Sequence, residues 1–163
     1  MPFVKSNGIR LSYRRSGHGE PVLLIMGSSA AGHVWSMHQT PALNRAGYET
    51  ITFDNRGVPP SDAPEGDYTL AEMVADTAGL IEALDLGPCH LAGASLGAMI
   101  AQELALGRPD LVRSAVLIAP QAAPTRSGGR SRPPTGSCTP AESGCRPGTG
   151  PPGRCWRCSR RGR

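Results

Sequence analysis

Beyond residue 122 the 163-residue chain has almost nothing to bury, since Trp156 is the only large apolar side chain there. The stretch "RSGGRSRPPTGSCTPAESGCRPGTGPPGRCWRC" is instead a mixture of arginine, glycine, proline, serine and cysteine. Such a segment cannot offset the entropy of ordering itself, so residues 121–163 are expected to be a disordered tail. Long apolar runs are lacking too. Val22–Met26 is far too short to cross a bilayer, and "MPFVKSNGIRLSY" at the start has no apolar core of a secretory signal. The expectation is a soluble cytoplasmic protein with no membrane partner. Histidine is missing after His90, all four (His18, His33, His38 and His90) lying in the first 90 residues. That last absence bears on the chemistry below.

Charge divides the chain in the same place. Residues 1–122 carry 8 basic and 12 acidic residues, a net of −4, whereas residues 123–163 carry 9 arginines and one acid, a net of +8. The sequence pI near 9.0 therefore describes the tail, and no specific nucleic-acid partner follows from it. Cys89 lies in an apolar segment, where a free thiol behaves as a small hydrophobe. The other four cysteines, Cys138, Cys145, Cys155 and Cys158, are in the tail.

What the first 120 residues do contain is an alternation of strand and helix signals. Asn7-Gly8 separates two short runs and suits the positive φ angles of a tight hairpin. "PVLLIMG" and "YETITFDNRG" read as strands, the first buried on both faces. In "YTLAEMVADTAGLIEALDLG" the period changes: Leu70, Met73, Val74, Ala78, Ile81 and Leu84 share one helical face, Thr69 and Glu72 have capping-box spacing, and Gly87 marks the stop. "CHLAGAS" and "RSAVLIAP" are further buried strands, separated by a helix from about Leu96 to Leu106. Strands spaced by helices imply a mostly parallel sheet with helices on both faces, an α/β fold.

Ser95 stands in "GASLG", where a buried strand ends and a helix begins at once. So sharp a turn forces the serine into strained backbone geometry and admits only small residues two places before and after it, a need met by Gly93 and Gly97. The helix also directs its first amides and the positive end of its dipole at the serine, which favours an oxyanion there. The plain alternative is a glycine-rich turn with a bystander serine.

Three motifs in order, "LLIMGSSAAGHVW", "FDNRGVPPSD" and "GASLG", resemble those of the α/β-hydrolase family over about residues 1–120. The resemblance implies an edge hairpin over residues 1–15, parallel strands at Val22–Met26, Thr50–Asp54, His90–Ala94 and Ser114–Ala119, and a sheet truncated after the last of these. By position, Ser95 matches the nucleophile. The backbone amides of Leu96 and Ser28 match the oxyanion hole, with Ser29 as an alternative to Ser28. Asp54 and Arg56 match a motif that mainly braces the loop. Met26 replaces a usual histidine and Pro59 a usual glycine. The implied activity is hydrolysis of an ester or related acyl bond in a small-molecule substrate, or cofactor-free perhydrolase or haloperoxidase chemistry with the same serine. No metal or organic cofactor is implied.

A serine hydroxyl needs a base, and the family's chain order is Ser, then Asp or Glu, then His. Downstream of Ser95 there is no histidine, and the carboxylates Glu103, Asp110 and Glu142 do not match the acid position. The chain is therefore expected to be inactive as it stands, with His33 the best upstream substitute. Non-catalytic readings, a fold remnant or a basic-tailed binding module, compete with the hydrolase. For the tail, the abrupt change of composition favours out-of-frame translation beginning near Ala119 to Pro124. A genuine disordered extension and a zinc site on the four tail cysteines remain the alternatives.

Overall fold

A computed structural model of the chain describes residues 1–120; the expected tail, with its four cysteines and Glu142, lies outside the described residues. Strand β1 (Phe3–Ser6) turns into β2 (Ile9–Ser16) through Asn7 and Gly8, at φ 48° and 82°, so that Ser6 faces Ile9 as the hairpin signal requires. Then follow β3 (Glu20–Ile25), a 3-10 turn (Gly32–Met37), α1 (Gln39–Arg45), β4 (Tyr48–Phe53), α2 (Leu70–Ala83), β5 (Cys89–Ala94), α3 (Leu96–Gly107) and β6 (Val112–Ile118). Among the described residues six strands form one sheet in the order β1-β2-β4-β3-β5-β6. The pairs β1/β2 and β2/β4 are antiparallel, and those among β4, β3, β5 and β6 are parallel.

The centre of the sheet is covered on both faces because β3 is apolar and buried at every position from Val22 to Ile25. Leu23 and Ile25 of β3 enter a core with Ile51, Phe53, Leu91, Leu80 and Ile81 of α2, and Ile100 and Leu104 of α3. Val22 and Leu24, pointing the other way, pack with Trp35 and Leu43 of α1. Helix α2 starts with both arms of its capping box, Thr69 accepting from the Glu72 amide and Glu72 from the Thr69 amide. All six residues of the expected face meet the core, Ala78 and Ile81 buried and Leu70, Met73, Val74 and Leu84 partly buried against it; Asp76, Thr77 and Leu80 are buried as well.

At the far edge β6 pairs only with β5 among the described strands. From Arg113 onward it is exposed, including Val116, Leu117 and Ile118, so the strand read from "RSAVLIAP" forms but is not buried. Among the described residues no helix is long and apolar enough to cross a membrane.

Candidate active site

Strand β5 ends at Ala94, Ser95 takes φ 52° and ψ −116°, and α3 begins at Leu96. That conformation is rare for a residue with a side chain and costs of order 1–3 kcal/mol, so its surroundings must enforce it. They do so through backbone contact. A Cβ on Gly93 would collide with the carbonyl of Gly97, and one on Gly97 would collide with the carbonyls of Ile25 and Met26, so strand, helix and the end of β3 touch main chain to main chain. The Ser95 amide donates to the Ile118 carbonyl at 2.9 Å, and the Ser95 carbonyl accepts from Ala98 at 2.9 Å. Ser95 is exposed at the resulting tip.

The segment after β3 runs beside this tip. A Cβ on Gly27 would stand 3.3 Å from the Ser95 Cβ and 3.9 Å from its hydroxyl. Ser28 and Ser29, the latter at φ 57°, are exposed next to it. A cavity of about 250 Å³ is lined by Gly27, Ser28, Ser29 and Leu96 on one side and by residues 55–58, Tyr68 and Met73 on the other. Ser95 borders this lining through Gly27 and Leu96 rather than belonging to it.

Both ends of the 26–32 segment are clamped by residues following β4. The Asn55 side chain donates to the Met26 carbonyl at 2.9 Å, and the buried Asp54 carboxylate accepts the Gly32 amide at 2.8 Å. Arg56, in the cavity lining, has its charge engaged by α2. Its guanidinium forks onto Asp76 of α2 at 2.6 and 2.8 Å, reaches Glu72 at 3.1 Å and lies over the Tyr68 ring. The Asp76 hydrogen bonds raise the Arg56 pKa above its ordinary value, so this nearly buried cation stays charged. Glu72 is held below the usual carboxylate range, first by its bonds to Thr69 and then by Arg56. Burial pushes the Cys89 thiol up to about 11, consistent with a core role.

Sequence reasoning missed Asn55 and Asp76. Asp76 lies three residues after Met73 on the inward side of α2, and a carboxylate there implies a buried cationic partner. Asn55 left no comparable signal, since its acceptor is a backbone carbonyl.

No histidine among the described residues serves Ser95, whose side chain makes no cap hydrogen bond. His33 and His38 are exposed around the 3-10 turn, and His18 is exposed in the loop before β3. His90 sits near the start of β5 with other partners, Ser114 and Glu20. Of the downstream carboxylates, Glu103 is within α3 and Asp110 is paired with Arg108. The arrangement presents an exposed hydroxyl at a helix start, with no side-chain proton acceptor hydrogen-bonded to it among the described residues.

A profile of the α/β hydrolase fold matches residues 20–135. A Mycobacterium tuberculosis H37Rv protein carrying the name non-heme bromoperoxidase BpoC is 52% identical over 111 residues, covering 68% of this chain and 42% of that protein. Its crystal structure superposes with a TM-score of 0.67 at 50% identity, over 71% of this chain and 43% of the other. Epoxide hydrolase 2 of Siraitia grosvenorii is 35% identical over 115 residues, 69% of this chain and 36% of its own length. The chain thus spans less than half the length of these relatives. With the strand order, the elbow at Ser95 and the matched residues in agreement, the chain belongs to the α/β hydrolase fold family.

Proposed function

We propose that these residues are the nucleophile-bearing half of a serine hydrolase acting on an ester or related acyl bond. The observation that carries this reading is the backbone at Ser95. A non-glycine residue is held at φ 52° between two glycines that admit no side chain, at the start of α3 and against Gly27. Nothing in the packing of a bystander serine calls for that strain. In the proposed chemistry the Ser95 hydroxyl attacks the acyl carbon and the Leu96 and Ser28 amides stabilise the oxyanion, each such donor contributing about 3 kcal/mol in the transition state. The substrate is a small acyl compound, and no cofactor is required.

The 163 residues supply no histidine after His90, so they are expected to retain only the catalysis of an oxyanion hole without its base. The test is chemical rescue. Imidazole added to the intact chain should raise p-nitrophenyl acetate hydrolysis above the rate of imidazole alone, and Ser95→Ala should abolish that increment. An increment unchanged by Ser95→Ala would overturn the assignment, and fast hydrolysis without imidazole that needs Ser95 would direct attention to His33.

The name of the Mycobacterium tuberculosis relative favours a second reading, in which the acyl group on Ser95 passes to hydrogen peroxide and the released peracid oxidises bromide. Bromination of an acceptor dye that requires acetate, peroxide, imidazole and Ser95 together would support it over simple hydrolysis.

A further inference from the structure

A second serine in this chain has what Ser95 lacks. At the opposite end of the parallel strands, the Ser114 hydroxyl lies 2.7 Å from His90 Nδ1, and His90 Nε2 lies 3.1 Å from a Glu20 carboxylate oxygen. Glu20 opens β3, His90 is the second residue of β5 and Ser114 the third of β6, so three adjacent strands each contribute one group. Arg113 donates to the other Glu20 oxygen at 2.9 Å, and the Tyr48 ring meets the His90 ring edge-on at 5.9 Å.

The register shows how the three groups come together. Cys89 pairs with Val112, but His90 pairs with Ser114, leaving Arg113 as the extra residue of a β-bulge. An unbroken ladder would set Arg113 opposite His90. The bulge instead places Ser114 there and frees Arg113 to reach Glu20, the kind of re-aiming for which bulges recur beside active sites.

Proton bookkeeping fixes the roles. The Glu20 carboxylate only accepts, so Nε2 of the neutral ring must carry the hydrogen, which leaves Nδ1 bare to accept from the Ser114 hydroxyl. Glu20 is kept ionised for this task, its pKa lowered first by the His90 hydrogen bond and then by the Arg113 charge. A hydroxyl on a base that is itself oriented by a carboxylate is the arrangement of an activated serine nucleophile. Ser114 is exposed and the His90 side chain is 24% exposed, so a small reagent can reach both.

We infer that Ser114, with His90 as base and Glu20 as the positioning residue behind it, is an acyl-accepting nucleophile toward small activated esters, separate from Ser95. Ser114 Oγ attacks the acyl carbon while its proton passes to His90 Nδ1. The Oγ–C bond forms, the bond from carbon to the leaving aryl oxygen breaks, and the imidazolium returns the proton to that oxygen. The products are O-acyl-Ser114 and a phenol. Ser114 stands within β6 rather than at a helix start, so the expected outcome is stoichiometric acylation rather than turnover.

The test uses the full chain, p-nitrophenyl acetate and tryptic peptide mapping by mass spectrometry. Cleavage after Arg113 puts Ser114 on the peptide 114–126, apart from any adduct on Ser95, so this inference and the proposed function fail independently. Acetyl is expected on Ser114, faster in the folded chain than in urea, absent in Ser114→Ala, and slowed about 10²-fold or more in His90→Gln, the usual contribution of a positioned base. Glu20→Gln, at an exposed position with no core packing to disturb, should also slow labelling and alter its pH profile. The inference is overturned if Ser114 labels no faster in the folded chain than in urea, or if neither His90→Gln nor Glu20→Gln slows it.

Discussion

Replacing Asp76 by alanine isolates the interaction that ties the loop after β4 to α2. The side chains of Arg56 and Asp76 are 5% and 3% exposed, and three donors converge on the Asp76 carboxylate: Nε and NH2 of Arg56 and the Asn7 amide. Removing one partner of a buried pair costs about 3–5 kcal/mol, because the other charge is left without its counterion. Glu72, at 3.1 Å and 44% exposed, partly compensates, which favours the lower end, about 3 kcal/mol. With a urea slope of about 2 kcal/mol per molar, the unfolding midpoint should fall by about 1.5 M. Fluorescence of the buried Trp35 provides the signal. Glu72→Ala, which removes an exposed ion pair and one arm of the capping box, should cost only about 1 kcal/mol. The double variant Arg56→Met/Asp76→Leu, which leaves no charge behind, should recover much of the loss. If Asp76→Ala shifts the midpoint no further than Glu72→Ala, or the double variant is no better than Asp76→Ala, the unpaired-charge reasoning is wrong.

Gly97→Ala drives a methyl into the carbonyls of Ile25 and Met26 and should cost about 1–3 kcal/mol in urea unfolding; a neutral result would show that α3 can move away from β3. The Asp62 carboxyl, accepting from the Arg10 guanidinium and amide, is held below its ordinary value of 3.8. A carboxyl depressed in the folded state contributes stability above its ordinary pKa and loses it as pH falls through the folded value, so the urea midpoint should drop below about pH 4, less steeply in Asp62→Asn. Equal acid limbs would remove that pair from the account. Cys89, buried with its thiol pKa pushed up to about 11, should resist a disulfide reagent at neutral pH until urea unfolds the chain, in a variant whose four tail cysteines are serines. Prompt modification would mean that the core around it opens readily.

Features carried by neighbouring residues were legible in the sequence. Asn7-Gly8, the Thr69/Glu72 box and the two-sided burial of Val22 to Ile25 each depend on a few adjacent positions, and each is present. Strand ends were less legible, because pairing sets them: Glu20 joins β3 by facing Tyr48, two residues before the apolar run begins. Helix α1, seven residues containing Pro41, is too short to show a period. The elbow could be read because its constraint is steric and local, with small residues needed on either side of Ser95. The clamps on the neighbouring loop could not, since Asn55 and Asp54 act on atoms 29 and 22 residues away in sequence.

The least legible feature is also the one with the most complete proton path. Nothing in "CHLAG" or "RSAVLIA" marks His90 and Ser114 as partners, because their meeting depends on a one-residue bulge at Arg113 and on a glutamate from a third strand. The same sheet geometry keeps the two serines apart. Ser95 follows the last residue of β5 and His90 is the second, so about five residues of extended strand, roughly 16 Å, lie between the strained hydroxyl and the nearest oriented imidazole. A side chain cannot bridge that span, so a base for Ser95 cannot come from His90 without dismantling β5. The proposed nucleophile Ser95 and the serine beside His90 therefore occupy opposite ends of one sheet. Substitutions at one end should leave acylation chemistry at the other unchanged.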